Sequence, residues 1–382
     1  FLAYGTTATV ARALGAGAGD RGVGAGVDGA VLALLLGVAS GTVVALAAEP
    51  FSAGLGAQGE VLVHATTYLR ISAAGLPAML VVLAITGALR GVQDTRTPLM
   101  ASAGAFVVNL VLSLVLVYGL GWGIAGAAWG TVITQVALAV VLSAVWLVRV
   151  RASGARVRLH PGGVLMAAAT GVPLIVRTLA LRAVLLLTTW VAAGLGEVTL
   201  AAHQVAFAIW SLLTFALDAL AIAAQAITGK GLGAADVVGV RESTRVMIRW
   251  GVVGGAVMGV AVAAAGPLIA PLFTPDPQVR SAMVAALIVV GIGQPISGYV
   301  FVLDGVLIGA GDGRWLALGM TLVLIAYLPI VALLRLNSPW LLTNGAAIAT
   351  AALWVGFTVF MLIRAVILGW RERRDAWLVT GV

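Results

Sequence analysis

The sequence predicts an all-α polytopic membrane protein, and three observations predict it. Of 382 residues, 62% are hydrophobic and only 9% are charged, against roughly a quarter charged in an ordinary soluble domain. Apolar stretches long enough to cross a hydrocarbon core of about 30 Å, which takes roughly 20 helical residues, recur from end to end. The chain also repeats itself at a single offset.

Apolar runs read against turn signals give ten whole spans, at 29–48, 66–90, 98–120, 123–148, 166–192, 200–228, 245–271, 279–309, 314–334 and 341–368. Residues 1–11 are apolar and run into Arg12 without an initiator methionine or a charged flank. They read as the end of a helix whose beginning lies outside the chain. Most of the 22 lysines and arginines fall in connections on one side, among them Arg90, Arg96, Arg149, Lys230, Arg314, Arg364 and Arg371. By the positive-inside rule that side is cytoplasmic, and so is the carboxyl terminus of this multi-pass protein. Trp122, Trp340, Trp370 and Trp377 read as interface anchors. The net charge of +8 sits in short loops between apolar spans, so anionic lipid headgroups and not nucleic acid are the partner it suggests. With no cysteine, disulfides and thiolate metal sites are excluded.

The repeat offset is 218 residues, the separation of Asp94 and Asp312. It also carries Pro77 onto Pro295, Gly87 onto Gly305, Gly91 onto Gly309 and Arg96 onto Arg314. An even number of helices separates the copies, so the repeats are parallel, related by a pseudo-two-fold along the membrane normal. Two six-helix lobes follow, with the first helix and most of the second outside this chain. Residues 1–148 are then the partial N-lobe, 149–165 a cytoplasmic linker, 166–370 the C-lobe and 371–382 a cytoplasmic tail.

An ionisable residue at membrane depth costs several kcal/mol, so each one needs a functional or structural partner. Asp218 lies roughly 15 Å from the cytoplasmic end of its span at about 1.5 Å per residue. Gln204, Ser211, Asp218 and Gln225 recur every seven residues, a polar stripe on an apolar helix. Two readings stand for Asp218: a cleft carboxylate that meets protons or cationic substrate, and a buried structural pair with Arg177 or Arg182 on the preceding span. The two arginines are about 140° apart on their helix, so one of them is expected to face elsewhere. Asp304 shares a face with Gln294 and Ser297 near the inner end of its span, where snorkelling to the interface is the plainer reading. His203 begins its span at the outer interface and reads as solvated, with no second ligand at metal spacing. Pro77 and Pro295 free backbone groups at matching positions of the two repeats. They read as bends lining a cleft or as packing kinks.

The segments Gly87 to Pro98 (GALRGVQDTRTP), Ala201 to Gln204 and Asp218 to Gln225 resemble MATE (multidrug and toxic compound extrusion) exporters, closest to the DinF-like branch. The resemblance covers essentially the full chain and agrees with two lobes. It implies secondary efflux of amphipathic, often cationic, organic compounds by antiport at a cell membrane, with no cofactor beyond a coupling proton or sodium ion. It also implies an amino-terminal ion site, in which Asn109 and Thr131 keep two family positions. Ser113 stands where many members carry an Asp, and the first-helix Asp lies outside the chain, which favours a proton over sodium. The expected transporter is a monomer acting on small molecules. An enzyme would need a convergent nucleophile, acid/base or metal set at membrane depth, and none is visible. A lipid-linked saccharide flippase on the same general fold is the alternative. Its cleft should carry several basic residues to hold pyrophosphate, and Arg177 and Arg182 are the candidates.

Overall fold

The computed structural model describes residues 2–152 and 161–381. Arg156, Arg158, His160 and the middle of the 149–165 segment lie outside the described residues. Helices follow one another as α1 (Leu2–Gly15), α2 (Gly19–Gly54), α3 (Gly59–Gly91), α4 (Arg96–Leu114), α5 (Gly123–Ala152) and α6 (Pro161–Gly194). They continue as α7 (Glu197–Gly233), α8 (Val237–Phe273), α9 (Pro277–Gly309), α10 (Gly313–Leu336), α11 (Ser338–Thr343) and α12 (Ala346–Arg373). A π-helical turn, Val115–Gly119, extends α4, and no strand occurs among the described residues. Ten of these helices are long and apolar enough to cross a membrane. In lipid this is the expected outcome, because a helix satisfies its own backbone hydrogen bonds where water cannot.

Several helices are longer than the apolar runs from which they were read. Helix α2 starts at Gly19 instead of residue 29, and so takes in Asp28, whose charge ended the apolar run. Helices α3 and α9 run unbroken through Pro77 and Pro295.

The chain divides into two compact units, one of residues up to Gly171 together with Gly381, the other of Val172–Thr380. Inside each unit the same small-residue contacts recur at the 218-residue offset separating Asp94 from Asp312. In the first, a methyl group added at Gly37 of α2 would lie 2.9 Å from the Pro77 nitrogen, and one at Gly41 would lie 2.7 Å from the Ala73 carbonyl oxygen. In the second, Gly255 of α8 meets Pro295 Cα at 3.1 Å and Gly259 meets Gln294 Cβ at 3.2 Å by the same measure. Gly87 likewise abuts Ala3 Cα at 2.9 Å, and its counterpart Gly305 abuts Ala221 Cα at 2.8 Å. No hydrophobic force pulls helices together in lipid, so close van der Waals approach at such positions holds the units. The prolines sit at these crossings.

The turn after α3 and the turn after α9 also match. Gln93 (φ 63°) and Gly311 (φ 75°) both adopt the left-handed conformation. The following Asp94 and Asp312 amides donate to the Leu89 and Leu307 carbonyls at 2.9 and 3.0 Å.

Candidate functional site

Helix α9 is the most enclosed of the ten spans, because glycines at Gly251, Gly255 and Gly259 of α8 and at Gly305 and Gly309 of α9 let its neighbours approach to backbone contact. Asp304 sits in this helix, 4% exposed. Its Oδ2 accepts from Arg177 Nη2 of α6 and from Arg364 Nη2 of α12. All three side chains are buried, at 11% exposure or less. Leu316, Met320, Val323 and Leu368 close an apolar wall around them and a small cavity. Two guanidiniums thus share one carboxylate oxygen. Removing the shared carboxylate breaks both buried pairs at once, at a cost of about 3 to 5 kcal/mol.

This corrects two expectations, for Asp304 and Arg364, and gives Arg177 a partner that the sequence did not point to. Asp304 does not snorkel to the interface, since the arginines on α6 and α12 satisfy it in place. Arg177, one of the two candidate partners of Asp218, is bonded to Asp304. Arg364, counted with the cytoplasmic cations, is 4% exposed and completes the cluster. Periodicity could have found it: Trp354, Phe357, Met361, Arg364 and Leu368 are all buried at helical spacing on one face of α12.

Arg182 is exposed on α6, so the two arginines of that helix do point apart. On α7 the polar stripe passes from exposed Gln204 through half-buried Ser211 and Asp218 to buried Gln225. Leu217 and Ala221 flank Asp218 on the side turned into the unit.

His203 is buried, not solvated. Phe207 and Trp354 lie against its ring, with centroids at 5.9 and 5.6 Å, and Thr189 Oγ1 lies 3.3 Å from Nε2. An aromatic chain through Trp210, Phe357 and Phe360 continues from it, and aromatic packing between α7 and α12 explains the burial. Trp377 is likewise buried, its Nε1 donating to the Glu372 carbonyl at 2.9 Å, whereas Trp122, Trp340 and Trp370 are exposed.

In the first unit, Asn109 of α4 and Thr131 of α5 stand side by side, with Nδ2 3.4 Å from Oγ1. Ser113 is adjacent, since a methyl at Gly130 would meet its Oγ at 2.9 Å. Asp28 is a buried carboxylate that the apolar-run reading left outside its span; it lies against Gly163 at the start of α6.

The MatE family model matches residues 1–115 and 173–335. The chain belongs to the MATE family. Among curated relatives, DETOXIFICATION 44, chloroplastic, of Arabidopsis thaliana is 31% identical over 317 residues, covering 82% of this chain and 58% of the relative. DNA damage-inducible protein F of Escherichia coli (strain K12) is 28% identical over 389 residues, covering 99% of this chain and 82% of the relative. The chain thus spans between about half and two thirds of the length of the plant proteins it matches. The fold matches MATE solved in a straight conformation with a TM-score of 0.87 at 21% identity, covering 99% of this chain and 84% of that one. A bent conformation of MATE matches with the same TM-score of 0.87. A transporter of the MOP superfamily from Pyrococcus furiosus matches at 0.87 and 22% identity.

Proposed function

We propose that the protein is a secondary antiporter that exports amphipathic organic cations in exchange for protons, with Asp218 as a coupling carboxylate. The observation that carries this is the different burial of the two acids of the second unit, Asp304 enclosed at 4% exposure and Asp218 half-buried on the polar stripe of α7. Asp304 is engaged by two guanidiniums, and taking up a proton there would break two buried ion pairs. A carboxylate so engaged is framework. Asp218 stands half-buried on a polar helical stripe, a setting in which membrane carboxylates meet ions and substrate.

Relatives named for multidrug resistance and export support efflux as the activity: a NorM protein of Rhizobium meliloti (strain 1021), 27% identical, and MepA of Staphylococcus aureus, 31% identical over 107 residues. The adjacency of Asn109, Ser113 and Thr131 supports a polar site in the first unit as well, with a hydroxyl where a sodium ion would want a carboxylate. The flippase reading is weaker, because Arg177 is already engaged by Asp304.

The test is dye efflux from proteoliposomes carrying the full-length protein under an imposed pH gradient or an imposed sodium gradient. Efflux driven by pH and indifferent to sodium is expected. Efflux driven only by sodium would overturn the proton, and no transport of any cationic dye under either gradient would overturn cation export.

A further inference from the structure

One strongly charged face is used by nothing described above. Arg241, Arg245 and Arg249 recur every four residues near the start of α8, on one side of the helix. Arg241 is committed to Asp375 at 2.6 Å. Arg245 and Arg249 are exposed and, among the described residues, make no ion pair or side-chain hydrogen bond; Glu242, also exposed, pairs with neither. Trp250, 67% exposed, stands beside Arg249, and exposed Val253, Val257 and Val260 continue the same side of the helix. Gly251, Gly255 and Gly259, on the adjoining side of the helix, pack on α9. Arg245 and Arg249 therefore head an exposed stripe of α8.

Depth follows from charge. From Trp250 to Phe273 α8 carries no charged residue, a length of about 36 Å at 1.5 Å per residue. That spans a hydrocarbon core of about 30 Å, so Trp250 marks its edge and Arg249 and Arg245 rise through the headgroup layer, about 6 Å apart along the axis.

The repeat shows that the fold does not require them. At the offset separating Asp94 from Asp312, the counterparts of the three arginines on α2 are Val23, Val27 and Val31. Val23 and Val27 pack on the core of the first unit.

We propose that Arg245 and Arg249, with Trp250 beneath them, form a binding site for the phosphodiester headgroup of an anionic phospholipid in the leaflet at this end of α8. Arginine forks match phosphate oxygens in pairs, and basic residues beside a span attract anionic lipid.

The test is thermal unfolding of the purified full-length protein in neutral detergent, titrated with phosphatidylglycerol or with phosphatidylcholine, for wild type, R245Q/R249Q and R245K/R249K. Phosphatidylglycerol should stabilise the wild type beyond phosphatidylcholine, and its apparent affinity should fall about fivefold per arginine removed. The lysine pair, which keeps charge without the fork, should fall between wild type and the glutamine pair. An unchanged phosphatidylglycerol response in R245Q/R249Q would overturn the site. Equal stabilisation of the wild type by inorganic phosphate at the same concentration would overturn a lipid as the ligand. Should the double variant not survive purification, R249Q read by native mass spectrometry should retain fewer phosphatidylglycerol adducts, and retention equal to wild type would count against the site.

Discussion

The two units solve the same packing problem with different chemistry at one pair of positions. Where the second unit carries Asp304 on α9 and Arg364 on α12, the first carries, at the same offset, Thr86 on α3 and Trp146 on α5. All four are buried. Trp146 packs with Ile85, Ala88 and Leu89 in an apolar cluster, and a methyl on Gly26 of α2 would meet its ring at 2.8 Å. The backbone contacts around both pairs are alike, from Gly87 and Gly305 to the left-handed turns at Gln93 and Gly311. Small residues and turns therefore set the architecture, and the buried polar group is added to it in one unit only.

The largest effect should come from removing that group's anion. Asp304→Asn removes the carboxylate that Arg177 and Arg364 share and should destabilise by about 3 to 5 kcal/mol, read as a drop in unfolding midpoint in detergent. Thr86→Val at the matching position should cost well under half of that.

The comparison can also be broken from the other side. Trp146→Arg should destabilise the first unit by several kcal/mol, by burying an unpaired charge and losing an aromatic contact. If positions 86 and 146 are true counterparts of 304 and 364, adding Thr86→Asp should restore part of the loss, with a coupling of about 1 to 3 kcal/mol in a double-mutant cycle. Additive losses would show that the offset does not carry over to these side chains.

Next in size is the helix crossing. Gly255→Ala places a methyl against the backbone of Gln294 and Pro295, which cannot rotate away, and should cost about 1 to 3 kcal/mol. Gly254→Ala meets nothing within 4 Å and should be neutral or stabilising by about 1 kcal/mol at most.

The smallest effect concerns the turn before α4. Burial pushes the Asp94 carboxyl upward, but hydrogen bonds from the Thr97 hydroxyl and amide and the charge of Arg149 outweigh it and hold the carboxyl below its usual value. A depressed folded value means stability present above the unfolded value, about 3.9, and lost as pH falls through the folded one. Arg149 is 44% exposed, so solvent screens the pair and the contribution should stay below about 1 kcal/mol. Unfolding midpoints of wild type and Asp94→Asn should converge as the medium is acidified below pH 4.

The helices, their number and the repeat were legible because apolar length, proline and aspartate positions and the 218-residue separation of Asp94 and Asp312 are one-dimensional signals. The site was legible only in part. Arg177 and Asp304 stood out as charges at depth, but which charge meets which depends on how α6, α9 and α12 rotate against one another, and no spacing within a single helix encodes that. Arg364 was hidden by its nearness to the basic end of α12, and Asp28 by the custom of ending an apolar run at a charge. His203 was misjudged because burial at the end of a span depends on aromatic partners from α12, far away in sequence.

The most direct test of the account is drug-evoked proton release from proteoliposomes carrying full-length wild type, Asp218→Asn or Asp218→Glu, with the unfolding midpoint of each measured alongside. The account predicts that Asp218→Asn folds with a midpoint near that of wild type yet releases no protons on drug addition, while Asp218→Glu retains measurable release. Proton release by Asp218→Asn at the wild-type rate would contradict it.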